Sequence, residues 1–207
     1  MAQSKRMSRK ERQEMMAQKR RNQSILVYGG GAVVALLLIY IVYLGVRPAQ
    51  PVGQEQILST QGNTHIADGS RSPTVYNSTP PTSGPHYPGL APWGSYTRPF
   101  AYEQLLHNLE DGGVAIYYQC ADGCADLVAQ LDSVVQPYLS QNKHVVLVPN
   151  DPAWTNGGSA TWHQDMGARI ALTAWQRIDK FDDFDAERIR QFIDAFEGID
   201  NHVGATG

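Results

Sequence analysis

Residues 114–148, VAIYYQCADGCADLVAQLDSVVQPYLSQNKHVVLV, decide the fold of this chain. The stretch opens with an apolar run over 114–118, which is typical of a buried strand, and closes with a second such run over 144–148. Between these runs, apolar residues recur at helical spacing over 122–140. A strand–helix–strand unit with buried strands predicts an α/β fold, and an α+β fold is the alternative.

Three further elements flank this unit. The sequence predicts a short helix over 101–109, a third strand over 169–175, and a final helix over 185–197 with its apolar residues on one face. Together they indicate one small layered domain, residues 63–200, with a short sheet and flanking helices. Residues 201–207 then form a C-terminal tail.

The first part of this domain, residues 63–101, lacks both helical and alternating periodicity and is rich in Pro, Gly, Ser and Thr. Such a composition fits a disordered stalk, but the segment also carries a high density of aromatic side chains, which usually pack. These rings are Tyr76, His86, Tyr87, Trp93, Tyr96 and Phe100. We therefore predict an ordered loop that wraps over the core.

An apolar run of 22 residues without charge, ILVYGGGAVVALLLIYIVYLGV at 25–46, precedes the domain. At about 1.5 Å per residue, a helix of this length spans a hydrocarbon core about 30 Å thick, so we predict one transmembrane helix. A cleaved signal peptide is the alternative, but it needs a shorter apolar core followed directly by a small-x-small cleavage site. Residues 47–62 are then a linker to the domain.

Charge divides the chain on either side of this run. Residues 1–24 contain eight basic and two acidic residues, a net charge of +6, whereas residues 48–207 contain eight basic and 18 acidic residues, a net charge of −10. Positive charge beside a span stays in the cytoplasm, so we predict a single-pass protein of the cell membrane with a cytoplasmic N-terminal tail and an extracytoplasmic domain. The acidic domain argues against a nucleic-acid partner. The expected partners are the lipid bilayer and other subunits of a membrane complex.

Two cysteines, Cys120 and Cys124, lie between the first strand and the helix after it. An oxidising compartment favours a disulfide between them, which is our first interpretation. A redox-active or copper-binding pair is the alternative, because a helix N-terminus lowers the pKa of a thiol.

Several other residues are candidate metal ligands. His86 lies on a stiff, Pro-rich loop, His107 ends a helix before a tight turn, Met166 precedes the third strand, and His65 begins the ordered loop. Imidazole together with a thioether suits copper better than Mg²⁺ or Ca²⁺, which prefer oxygen ligands. The alternative is that these side chains are ordinary packing residues.

Four motifs in order along the chain resemble those of a bacterial, mostly membrane-anchored family catalogued as domain of unknown function 3105. The motifs are YNSTPPTSGPHY at 76–87, WGSY at 93–96, HNLEDGGV at 107–114 and ALTAW at 171–175. The resemblance covers roughly residues 60–197 and implies a shared fold without an established reaction. The family pattern usually reads His-Asn-Leu-Glu-His-Gly-Gly, and this chain has Asp111 at the second His position. The resemblance therefore implies that Asp111 replaces a histidine ligand, or that a ligand is lost.

Catalysis is the less favoured interpretation, and no catalytic residue is assigned. The sequence has no phosphate-binding Gly loop, no His-Glu-x-x-His and no four-cysteine zinc pattern, and Ser83 near His86 lacks the strand–turn–helix context of a nucleophile. The predicted function is a membrane-anchored extracytoplasmic domain that binds a transition metal such as copper. Two alternatives stay open: an accessory or assembly subunit of a membrane complex without a metal, and a thiol–disulfide protein that uses Cys120 and Cys124.

Overall fold

The computed structural model describes residues 9–45, 51–121 and 123–202. The chain divides into two compact units, 1–49 and 50–207. The elements in chain order are α1 (Arg9–Gly45), β1 (Gln56–Ile57), β2 (Gly94–Ser95), α2 (Tyr102–Glu110), β3 (Val114–Tyr118), α3 (Ala125–Leu139), β4 (Val145–Pro149), β5 (Ile170–Ala174), β6 (Arg177–Phe181) and α4 (Ala186–Phe196).

Helix α1 runs without a break from Arg9 in the basic segment to Gly45 in the apolar run. By length and composition its part from Arg12 to Ile41 is able to cross a membrane, and it is the one helix of that kind among the described residues. A signal sequence near an N-terminus passes the same test. Val46, the last residue of the predicted span, lies outside the described residues.

The second unit contains one six-stranded sheet in the order β1-β6-β5-β3-β4-β2. Strands β3 and β4 are parallel, with Val114 opposite Val145, as a strand–helix–strand unit requires. Strand β5 runs antiparallel to β3, and the hairpin partner β6 runs antiparallel to β5. The sheet is therefore mixed, with its parallel part at the centre and at the β2 edge.

Successive residues of β3 point to opposite faces of the sheet and enter two separate cores. Val114, Ile116 and Tyr118 pack with apolar residues of α3 and α4. Ala115 and Tyr117 pack on the other face with α2 and the loop before it. Helices thus cover both faces of the sheet, which confirms the predicted α/β fold with a sheet and flanking helices.

The ordered loop predicted over 63–101 is present and packs on the α2 side of the sheet. Its Pro80–Tyr87 stretch is buried without a break, and Ala91 and Phe100 belong to the core. Trp93 is only partly buried and packs against the edge of this core.

Three strands were not predicted from the sequence: β1, β6, and β2, which lies inside the predicted ordered loop 63–101. Strand β6 carries charged side chains, and Asp179 is buried in it because the Arg188 guanidinium on α4 binds its carboxylate with two hydrogen bonds, at 2.7 and 2.5 Å. Strand β1 lies inside the predicted linker 47–62 and pairs with β6 at the sheet edge. The described part of that linker therefore contributes to the domain.

Candidate metal centre

Two irregular segments pair side by side and bring His65 next to His86. The backbone N–H of His86 donates to the carbonyl oxygen of Thr64 at 3.0 Å, and its carbonyl oxygen accepts from the N–H of Ile66 at 2.8 Å. The two histidines form an isolated parallel bridge. Backbone hydrogen bonds thus position both rings although neither residue lies in a helix or a longer strand.

The last turn of α2 supplies His107 and Glu110 to the same place. Between them, the buried side chain of Asn108 donates to the carbonyl oxygen of Ala91 at 2.7 Å and accepts from the Ala91 N–H at 2.9 Å. The chain then turns sharply, and the Gly113 N–H donates to the Asn108 carbonyl oxygen at 2.7 Å. A Cβ at Gly113 would lie 2.5 Å from that oxygen, so the turn into β3 requires glycine.

Four side chains meet where α2 ends and β3 begins: His65, His86, His107 and Glu110. Each offers one ligand atom, and these atoms all lie within 4.8 Å of one another. The three imidazole centroids are separated by 4.9, 5.2 and 5.3 Å. His86, His107 and Glu110 are buried and His65 is exposed, so this group is closed on the protein side and open on one side to solvent.

The contact between His86 and Glu110 defines the chemistry of the group. Nδ1 of His86 lies 2.8 Å from the carbonyl oxygen of Gly84, which can only accept, so Nδ1 carries a proton and donates it. In the neutral ring, Nε2 then presents a lone pair to Oε2 of Glu110 at 2.9 Å. Two acceptor atoms this close require a proton or a cation between them.

The remaining oxygen of Glu110 is fixed in place by a neighbouring amide. Its Oε1 accepts a hydrogen bond from the side-chain nitrogen of Asn63 at 2.7 Å. The carboxylate is thereby oriented so that Oε2 faces the histidines. Oε2 lies 3.9 Å from Nε2 of His65.

The imidazole of His107 has two properties expected of a metal ligand: a buried ring nitrogen without a hydrogen-bond partner and a lowered pKa. Its Nδ1 is buried and has no hydrogen-bond partner among the described residues. Burial lowers the pKa of His107 below its ordinary value of 6.5, against the opposing effect of the nearby Asp111 carboxylate. The ring is therefore neutral at pH 7, and neutral imidazole is the form that binds metals.

The other two predicted ligands have different places. Asp111 lies beside this group, with Oδ1 at 3.8 Å from Nε2 of His107, and joins a second cluster that contains His107 and His202. Met166 is buried in the core, and its N–H donates to the side chain of Gln119, the residue directly after β3. The structure therefore places Met166 at the end of β3 opposite to His107 and does not bring it to the histidines.

The two groups share His107 and together form a combined cluster of six residues: His65, His86, His107, Glu110, Asp111 and His202. Two of these six, Glu110 and His202, were not predicted from the sequence. Glu110 is not among the ligands predicted from the sequence, because its neighbours in the HNLED motif do not indicate that it faces His86. His202 was assigned to the tail, yet its Nε2 lies 3.6 Å from Oε2 of Glu110 and 3.4 Å from Oδ1 of Asp111. Only the long-range contacts of the C-terminal segment reveal this role.

The cysteines lie away from the histidines. Cys120 and Cys124 form a disulfide, as predicted, with a Cα–Cα distance of 6.0 Å. Both pack against the core on the α3 side of the sheet, and Cys124 is the residue that precedes the first turn of α3. The disulfide thus closes the connection after β3, whereas the metal-ligand group lies before that strand.

Comparison with known proteins places the chain in a family. A family model described as protein of unknown function (DUF3105) matches residues 69–206. This range includes His86, His107 and Glu110, whereas His65 lies just before it. No curated protein and no solved structure matched the chain. Because the match spans most of its length, the chain belongs to the DUF3105 family.

Proposed function

We propose that this protein is a membrane-anchored, extracytoplasmic domain that binds a transition metal, with copper(II) as the preferred ion, through His65, His86, His107 and Glu110. The observation that carries the proposal is the buried pair of His86 and Glu110, whose facing lone pairs require a proton or a metal ion between them. His107 supplies a further ligand atom within 4.8 Å of that pair, and its buried Nδ1 has no hydrogen-bond partner in the described part of the chain.

The donor set selects a class of metal. Three imidazoles and one carboxylate suit zinc, copper and nickel, whereas Mg²⁺ and Ca²⁺ prefer sites made entirely of oxygen ligands. Among divalent ions, Cu²⁺ has the highest intrinsic affinity for such ligands. Copper(I) is less suited, because the thioether of Met166 lies at the other end of β3.

The geometry is compatible with a compact site. Metal–nitrogen bonds are about 2.0–2.1 Å long, so neighbouring ligand atoms on one ion are separated by roughly 3 Å. His86 and Glu110 already have this separation, at 2.9 Å. His65 Nε2 lies 3.9 Å from Oε2 of Glu110, and all four ligand atoms lie within 4.8 Å of one another. The other two rings therefore need to close by at most about 2 Å, a movement that side-chain rotation can supply.

The tautomer of His86 supports the same assignment. Histidines that bind metals almost always donate their other ring N–H to a carboxylate or a backbone carbonyl group, which fixes the ring and raises its basicity. The hydrogen bond from His86 Nδ1 to the Gly84 carbonyl oxygen has this form.

Anchoring and orientation rest on α1 and on the charge pattern. The helix is long and apolar enough to span a bilayer, and the positive charge before it favours a cytoplasmic N-terminus. The metal would then be bound outside the cytoplasm.

The test is titration of Cu²⁺ and Zn²⁺ into the purified protein in competition with a chelator. We expect one tightly bound ion in the wild-type protein and a large loss of affinity in His86→Ala and in His107→Ala. His163→Gln is the matched control, because His163 is a buried histidine outside both clusters. Absence of binding to the wild-type protein, or affinity unchanged in both alanine variants, would remove the proposal. The histidines would then be packing residues, and an accessory subunit of a membrane complex would become the leading hypothesis.

A further inference from the structure

The C-terminal segment from Gly198 to His202 lies against the turn that follows α2. The Gly198 N–H donates to the carbonyl oxygen of Gly112 at 2.8 Å, and the Asn201 N–H donates to the carbonyl oxygen of Glu110 at 2.9 Å. Gly112 has a φ of +78°, and a Cβ there would lie 2.8 Å from the backbone of Ile199. This close approach positions the end of the segment beside the metal-ligand group.

His202 has the hydrogen-bond pattern of a metal ligand. Its Nδ1 lies 2.8 Å from Oδ1 of Asp200, and because a carboxylate can only accept, Nδ1 carries the proton. Its Nε2 is then directed at Asp111 and Glu110, at 3.4 and 3.6 Å. A carboxylate behind one ring nitrogen and a ligand position in front of the other is the usual arrangement around bound metals.

Exposure separates two positions within the combined cluster. The side chains of His202 and Asp111 are 44% and 27% exposed, whereas those of His86 and Glu110 are 0% and 1% exposed. His107 belongs to both groups, so the exposed and the buried positions are adjacent.

We propose that His107, Asp111 and His202 form an outer metal position through which ions enter and leave the buried site. The proposal rests on the proposed function, since the inner position must bind a metal. An ion held by His202 and Asp111 would exchange these ligands for His86 and Glu110. The exchange changes no oxidation state, and the proton between His86 and Glu110 leaves to water.

Kinetics of the full-length protein in detergent test this route, with Cu²⁺ as the probe. Trp175 reports filling of the inner position by fluorescence quenching, because its ring lies 6.0 Å from that of His86. We expect His202→Asn and Asp111→Asn to slow both loading and removal by excess chelator by roughly tenfold, the lower end of the effect of residues around a metal. The equilibrium affinity should stay nearly unchanged, because an altered path changes both rates by the same factor. Asp183→Asn, which removes an exposed carboxylate elsewhere, is the matched control.

A second measurement examines the outer position alone. His86→Ala should retain weak Cu²⁺ binding, and the double variant His86→Ala/His202→Asn should lose it. The outer position is overturned if His202→Asn leaves both rates unchanged, if it accelerates removal alone, or if His86→Ala abolishes all binding. Wild-type protein that binds no Cu²⁺ would overturn the proposed function as well, so the two failures are distinguishable.

Discussion

Asn108 and Ala91 are joined by two hydrogen bonds, one in each direction between the side-chain amide and the backbone. Both residues are fully buried. The pair connects the last turn of α2 to the loop that covers it. Because His107 and Glu110 lie in this turn, the pair also determines where their side chains point.

Replacing Asn108 with alanine should destabilise the domain and weaken metal binding together. The change leaves the N–H and the carbonyl oxygen of Ala91 buried without their partner, and each such group costs about 1–3 kcal/mol. Chemical denaturation of the domain from residue 51 onward measures the loss. Gln104→Ala is the control on the same helix, because its amide makes only a long 3.4 Å contact with the carbonyl oxygen of Leu90. Equal stability of the two variants would contradict the role assigned to Asn108.

Asp111→His should raise the affinity for Cu²⁺. Oδ1 of Asp111 lies 3.8 Å from Nε2 of His107 and 3.4 Å from Nε2 of His202, so a histidine at this position adds a third imidazole to the outer cluster. Competition titration compares it with Asp111→Asn, which removes the charge without adding a donor. An affinity of Asp111→His at or below that of Asp111→Asn would show that position 111 contributes no ligand.

Stability should fall in mild acid because of His163. Its Nε2 donates to the carbonyl oxygen of Phe100 at 2.8 Å, its Nδ1 accepts from the N–H of Asp151 at 3.1 Å, and burial lowers its pKa below the ordinary value of 6.5. The unfolded chain binds this proton more readily than the native protein. The free energy of unfolding should therefore decrease as the pH falls below about 6.5 and be unaffected by this group above it.

The matched variant for this pH dependence is His163→Gln. Glutamine keeps a donor and an acceptor but does not titrate, so its unfolding free energy should depend less on pH between about 6.5 and 4.5 than that of the wild-type protein. Parallel curves for the two proteins would assign the acid sensitivity to other groups.

Removal of the Cys120–Cys124 disulfide should lower stability modestly and leave metal affinity intact. The bridge closes a short loop, with a sequence separation of 4, so its contribution should lie near the low end of about 2–4 kcal/mol. It follows β3, whereas His107 precedes that strand. Denaturation and Cu²⁺ titration of the Cys120→Ala/Cys124→Ala variant check both statements. Two freely alkylated thiols in protein isolated from its membrane would instead favour a redox pair.

Reporter fusions test the proposed topology. A reporter joined after Arg47 should be active only where it functions outside the cytoplasm, because the net charge of +6 before the apolar run keeps the N-terminus inside. A fusion within the first 24 residues serves as the opposite control. Protection of the domain from protease added to right-side-out cells would reverse the assignment.

Local pattern was enough to predict most of the central fold. Strand β3 was predicted with its observed bounds, and α3 and β4 differ from their predicted ranges by at most three residues, because buried strands and an amphipathic helix leave strong periodic signals. Strand β6 could not be predicted in this way. Its buried Asp179 is stabilised by Arg188 on another element, and this contact has no local signal.

The candidate site was predictable only in part, for a similar reason. The stiff loop of His86 and the tight turn after His107 are visible in the sequence, but their meeting point depends on backbone pairing between distant segments. Met166 was placed correctly before a strand. Its distance from the histidines follows from the antiparallel direction of β5 relative to β3, which the sequence does not reveal.

The four candidate ligands come from segments that are far apart in the chain, so the proposed metal binding would be coupled to folding. An unfolded chain does not hold the four groups together, so a metal bound at the proposed site would favour the native state and stabilise it by mass action. At a free metal concentration of 100 times Kd, this stabilisation amounts to about 2.7 kcal/mol. Under the proposed topology, metal supply outside the cytoplasm would then add to the stability of the domain, and no short peptide cut from the chain would reproduce the site.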